Sequence, residues 1–174
     1  TTGTQTYDGN TTLGADVTLT ADNAGTAQTV TFNGTVTGAS HSLTINDNAV
    51  FGNETTDSVT GITTLQVTGT TAINTAAITT TGTQTYTGNV TLIADTTLTA
   101  GSAQDIEMGS DLTGIGTDRT LTISGGNFVL SKATVPVITS LPTLIFSGGN
   151  AQSFDTGGAQ FASVTFNTTN TVTL

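Results

Sequence analysis

A serine or threonine nucleophile needs a base beside it, and this chain offers a single histidine, His41, in the turn-like Gly38-Ala39-Ser40-His41. Alone in a polar turn, it reads as a solvated side chain rather than half of a catalytic pair. Sugar hydrolysis needs two carboxylates facing one bond. Asp16 and Asp95 are equivalent positions of an internal repeat. In a stacked fold they would lie about four coils, or roughly 19 Å, apart, too far for one site. Asp105, Glu107 and Asp111 form the densest acidic cluster and read as a solvated turn. Calcium is the metal to consider, because only oxygen ligands are abundant. Asn46-Asp47-Asn48 and Asp22-Asn23 are the candidate loops, without any glycine-aspartate nonapeptide repeat. Lys132, the only lysine, has no identifiable partner for a covalent Lys–Asn cross-link. Asn10, Asn33, Asn53, Asn89 and Asn167 each open an N-x-[ST] triplet. In a chain with 46 threonines among 174 residues such triplets arise by chance. No residue is assigned a catalytic, cofactor-binding or metal-binding role, and the expectation is a protein that is not an enzyme and needs no cofactor.

What would position such residues is written in a long internal repeat. Thr1 to Ala21 reads TTGTQTYDGNTTLGADVTLTA, and Thr80 to Ala100 reads TTGTQTYTGNVTLIADTTLTA. The two differ only at positions 8, 11, 14 and 17 of the first copy. Self-similarity at a fixed period marks stacked, similar units. Stacked units create length and surface, whereas a catalytic pocket gathers unlike groups once.

Composition narrows the class. Charged residues make up 8% of the chain, against about 25% in ordinary globular domains. Pro occurs twice, Cys never, and β-branched residues abound. Disordered chains are poor in β-branched residues and rich in charge and proline, so this is an all-β protein. The net charge of −10, with Arg119 and Lys132 the only bases, provides no basic stripe for nucleic acid or an anionic membrane. No apolar run approaches the roughly 20 residues of a membrane span. The chain starts at Thr1, which reads as a processed product, a cut piece or part of a longer chain.

Short alternations of period two recur throughout, and none has helical spacing. Val17-Thr18-Leu19-Thr20, Val30-Thr31-Phe32-Asn33, Leu43-Thr44-Ile45 and Leu65-Gln66-Val67 are examples. Val90-Thr91-Leu92, Leu121-Thr122-Ile123, Leu144-Ile145-Phe146 and Val164-Thr165-Phe166 follow. As strands they place Val, Leu, Ile and Phe on one face and mostly Thr on the other. The repeat favours a parallel β-helix, or β-solenoid, of about eight or nine coils, four per repeat at about 20 residues each. Residues 1–79 and 80–174 then form two repeats of one continuous rod. The competing arrangement is two tandem β-sandwich repeats. The Asn33-Gly34 and Asp8-Gly9 pairs are its only tight-hairpin signals.

TGTQTYTGNVTLIADTTLTA at Thr81–Ala100, SLTINDNAVFG at Ser42–Gly52, LQVTGTTAINTAAITTTGTQTY at Leu65–Tyr86 and GGNAQSFDTGGAQFASVTFNTTNTVTL at Gly148–Leu174 resemble repetitive Gram-negative surface proteins. The likeness is to the filamentous haemagglutinin and autotransporter-passenger kind. It implies a right-handed parallel β-helix, secretion to the cell surface, and a stalk or adhesive fibre. Two further expectations follow from the residues. Uncapped solenoid ends would pair between copies, head to tail. A face of the rod could instead bind glycans or a host surface through aromatic anchors, but aromatics are scarce, and the repeat-equivalent Tyr7 and Tyr86 read as packing within the coil rather than binding sugar. Thr-x-Thr pieces (Thr4-Gln5-Thr6, Thr18-Leu19-Thr20, Thr83-Gln84-Thr85, Thr97-Leu98-Thr99) raise ice binding as a minor alternative, which wants the motif in every coil, whereas the near-identical pieces recur only every 79 residues.

Overall fold

A computed structural model describes residues 3–21, 25–115, 119–131, 138–139, 143–148, 152–155, 164–168 and 172–173. Among these residues there are strands and no helices, and every strand pairing is parallel. Parallel strands cannot be joined by hairpins, so each must be reached by a crossover. The chain makes that crossover by winding on into the next turn, which gives a β-solenoid and excludes the tandem sandwiches.

Each turn contributes to three ladders. The first runs through Gln5–Tyr7, Thr29–Phe32, Asn48–Phe51, Thr71–Ile73, Val90–Leu92, Leu112–Gly114 and Ile138–Thr139. The second includes Ala77–Thr80, Thr96–Thr99, Thr120–Gly125 and Thr143–Gly148. The third includes Val17–Leu19, Gln84–Tyr86, Asp105–Met108, Asn127–Leu130 and Gln152–Asp155. Val36–Ile45 and Ser58–Val67 are long enough to bend across a corner and serve both the second and third ladders.

Register sets the size of a turn. Gln5 pairs with Val30, Val30 with Ala49, Ala49 with Thr71, Thr71 with Val90, Val90 with Leu112, and Leu112 with Ile138. The turns are therefore unequal, short from Val30 to Ala49 and from Thr71 to Val90, longest from Leu112 to Ile138. About six turns lie between Gln5 and Ile138. The expected eight or nine coils rested on a uniform coil of about 20 residues. Past that span Thr143–Gly148, Gln152–Asp155, Val164–Thr168 and Val172–Thr173 continue the second and third ladders, so the coil count is only slightly below the expected one, because the corners lengthen several turns while the three strand positions stay constant.

The core is a set of in-register columns. Phe32, Phe51, Ile73 and Leu92 stack in the first ladder. Val59, Ile78, Leu98 and Ile123 do so in the second, and Ile45, Val67, Tyr86, Met108 and Leu130 in the third. All are buried. No single turn could bury its own apolar side, but each covers its neighbour. Tyr7, Phe32 and Phe51 stack as parallel rings, with centroids 5.0 and 5.9 Å apart.

Polar corner residues bind turn to turn. Asn10, Asp16, Asn48, Asp95 and Asn127 each use a side-chain oxygen to accept a backbone N–H of the following turn, at 2.8–3.1 Å. The donors are Thr35, Ser42, Thr70, Thr120 and Ser153. Corners cannot continue the ladder, so these side chains supply the acceptors that the backbone geometry leaves out. Gly69 and Gly88 are stacked at one such corner, where a Cβ on either would collide with the backbone of the preceding turn.

The sequence repeat is out of step with the turns. Gln5-Thr6-Tyr7 lies in the first ladder, and its repeat partner Gln84-Thr85-Tyr86 in the third. Likewise Val17–Leu19 lies in the third ladder, while its counterpart Thr96-Thr97-Leu98 lies in the second. One repeat thus advances three and two-thirds turns, and near-identical sequence packs equally well on different faces.

Candidate functional site

The residues with the chemistry for a site are spent on the fold. His41 Nδ1 lies 3.6 Å from Asp16 Oδ1, and both side chains are substantially exposed. Asp16 also accepts the Ser42 N–H at 2.8 Å. The hydroxyl of Ser42 accepts from Thr64 of the next turn at 2.9 Å. Ala39 and Ser40 take up left-handed backbone conformations, with φ of 50° and 69°, where the chain turns the corner before His41. The group is a surface ion pair between the first and second turns when the histidine is protonated. Such exposed pairs contribute little.

Asp16 and Asp95 have the same role on different ladders, each bracing the next turn. They do not converge on one cleft. Asp105 accepts from the Asn127 side chain at 3.0 Å. Glu107 follows it along the same strand, and Asp111 immediately precedes the first ladder's sixth strand. The calcium-loop residues are likewise engaged. Asp47 is buried and accepts the N–H groups of Ala21 at 2.5 Å and Gln28 at 3.4 Å. Asn48 accepts both the N–H and the hydroxyl of Thr70, and the Asn46 amide donates to Thr20. Among the described residues no three His, Asp or Glu side chains gather in a way that could hold a metal ion. Asp22, Asn23 and Lys132 lie outside the described residues.

Of the triplet asparagines, Asn10 and Asn89 are repeat partners that both bind the following turn. Asn33 donates to Asp8 at 2.9 Å, and Asn53 stands in the turn closed by Asp57. The side chain of Asn167 lies outside the described residues. The Thr-x-Thr pieces do not share one face. Thr6 lies in the first ladder, Thr18 and Thr85 in the third, Thr97 and Thr99 in the second. Among the described aromatic side chains all are buried except Tyr7, which is partly covered. Sugar-stacking anchors are therefore not displayed along the described faces.

A buried polar staple was not evident from the sequence. The Gln84 amide donates to the carbonyls of Ile78 and Thr99, at 3.2 and 2.8 Å, and its oxygen accepts from the Tyr86 hydroxyl at 3.0 Å. Both side chains are fully buried. Burial pushes the Tyr86 phenol well above its ordinary pKa, so it stays a donor. The first copy repeats the pattern, with Tyr7 donating to Gln5 and Gln5 to the carbonyl of Thr20, the repeat partner of Thr99. The Gln-Thr-Tyr triplets recur with the rest of the repeat, so the sequence does not single them out.

Gln152-Ser153-Phe154 is a third version with the hydroxyl deleted. The Gln152 amide reaches the carbonyls of Ile123 and Gly126, while its buried Oε1 has no partner. Restoring the donor should remove that cost. Phe154→Tyr is expected to raise stability by about 1 kcal/mol, read from the urea midpoint at unchanged slope. A neutral or negative change would show that the ring cannot bring a hydroxyl to Gln152.

The feature left with unsatisfied potential is the first turn. Among the described residues, no strand lies beyond Gln5–Tyr7, Thr11–Thr12 or Val17–Leu19. Tyr7, Val17 and Leu19 are only partly buried, whereas their repeat partners Tyr86, Thr96 and Leu98 are at most 3% exposed. The core opens there into a hollow of about 210 Å³ floored by Phe32 and walled by Tyr7, Leu13, Val17 and Leu19. Among the described residues, no helix is long and apolar enough to cross a membrane. No protein-family model, curated protein or solved structure matches the chain.

Proposed function

We propose that the chain is a structural length of an extracellular rod, secreted by or displayed on a bacterium, and extended by head-to-tail stacking of solenoid ends. The observation that carries this reading is the phase of the repeat. A protein that binds ice or a glycan along one face needs its motif on that face in successive turns. Here one repeat advances three and two-thirds turns, so each copy's surface motif moves to another face. What the repeat preserves is the inward pattern, the corner braces and the Gln–Tyr staple. Those are requirements of a continuous core, and the functional demand they match is length and stiffness. The likeness to haemagglutinin-type and autotransporter-passenger repeats supports the same assignment as a stalk or fibre.

Cryo-electron microscopy of the purified chain at rising concentration tests this. Filaments one solenoid wide, with an axial spacing near ~4.8 Å between strands, are the expected result. Monodisperse single particles at millimolar concentration would overturn end-to-end stacking.

A further inference from the structure

Asn33-Gly34 is the only Asn-Gly pair in the chain and Asp8-Gly9 the only Asp-Gly pair. The fold stacks the two. Tyr7 pairs with Phe32, so Asp8 and Asn33 leave the first ladder at the same corner of successive turns. The Asn33 amide donates to Asp8 Oδ1 at 2.9 Å. Glycine at 34 is imposed by packing, because a Cβ there would lie 2.9 Å from Gly9 C and 3.0 Å from Asn10 N. The Asn33 N–H donates to Tyr7 O and the Thr35 N–H to Asn10 Oδ1. Between them, the Gly34 N–H is accepted by no group among the described residues. The second repeat copy has nothing comparable. Thr87 stands where Asp8 does, and Gly109 follows the Met108 that pairs with Tyr86.

These are the conditions for one covalent reaction. The Gly34 nitrogen, on losing its proton, attacks Asn33 Cγ. The N–Cγ bond forms, the Cγ–Nδ2 bond breaks, and Nδ2 leaves with the proton as ammonia. Water then opens the succinimide ring. Opening at Cγ leaves aspartate at position 33, and opening at the main-chain carbonyl leaves isoaspartate, with the backbone rerouted through Cγ. A nitrogen already held in a ladder bond would first have to give that bond up, and a side chain at 34 would crowd the ring. We propose that Asn33 is a modification site, converted without an enzyme to aspartate and isoaspartate, and that the conversion loosens the joint between the first and second turns. The amide that donates to Asp8 becomes a second carboxylate beside the first, and like charges that close repel. Isoaspartate also adds a backbone atom where Gly34 already abuts Gly9 and Asn10. Both changes fall next to Phe32 in the Tyr7–Phe32–Phe51 stack. Asn10, Asn48 and Asn89 brace the following turn in the same way, but they precede Thr11, Ala49 and Val90 and lack the permissive glycine.

The test is a peptide map by mass spectrometry of the folded chain, aged in warm, mildly alkaline buffer. Conversion at Asn33 is expected to outpace that at every other asparagine, with one ammonia released per Asn33 lost. It should run within about tenfold of the rate in a free peptide of residues 29–37, since no hydrogen bond of Gly34 has to open first. A rate below that range, or one equalled at the exposed Asn53, overturns the site. Asn33→Asp stands in for the product. It should keep the wild-type circular dichroism while amide exchange in residues 5–7 and 30–32 accelerates at least about fivefold. Adding Asp8→Ala should bring that exchange back to the rate of Asp8→Ala alone. A smaller acceleration, or one that persists without Asp8, overturns the loosened joint.

Discussion

Gln84→Ala is expected to cost about 3–5 kcal/mol of folding stability, while Gln5→Ala costs less than about 1 kcal/mol. The two glutamines stand in the same local sequence and make the same bonds to a tyrosine and a threonine carbonyl. They differ in burial and in one bond, since Gln84 is fully enclosed and also donates to the Ile78 carbonyl, while Gln5 is partly solvated in the first turn. Truncating Gln84 strands the Tyr86 hydroxyl and two carbonyl contacts away from water, and each such group costs about 1–3 kcal/mol. At Gln5, water replaces what is lost. Urea unfolding of both variants, compared at constant slope, checks this. Equal costs would mean that the staple acts through local turn geometry rather than through burial.

Phe32→Ala should cost about 3–5 kcal/mol, concentrated in the first three turns. Phe32 is the middle ring of the Tyr7–Phe32–Phe51 stack and the floor of the terminal hollow. Its removal joins that hollow to a new cavity and breaks both ring contacts, each worth about 0.5–1.5 kcal/mol beyond area. In a solenoid each turn is held mainly by its neighbours, so the loss need not spread evenly. Amide exchange should accelerate through residues 5–51 while residues 84–108 keep their protection. Uniform acceleration along the chain would show that the rod unfolds as one cooperative unit.

Both variants probe the contacts that distinguish the first described turn from an interior one.

The fold class was legible because it depends on period. Val30-Thr31-Phe32 and Leu43-Thr44-Ile45 must place alternate residues on opposite faces whatever they pack against. The recurrence of TTGTQTY, first at Thr1 and again at Thr80, then favours stacking over a closed domain. The chemistry of Asp16, Asp95, Asp47 and Asn10 was legible only as residue type. Each side chain could solvate, bind a metal or bind backbone, and the choice belongs to the neighbouring turn, whose N–H groups lie a full coil away in sequence. Turn length was undetermined for a related reason. The strands fix three short segments per turn, while the corners absorb the difference between a short turn, Val30 to Ala49, and a long one, Leu112 to Ile138, without disturbing register. Tertiary structure alone decided that one repeat is three and two-thirds turns, that Gln-x-Tyr is a buried staple, and that the same strand is paired on both sides in one copy and, among the described residues, on one side in the other. The physical reason is that side-chain alternation is set locally by backbone geometry, whereas pairing partners and burial are set by which turn lies above and below.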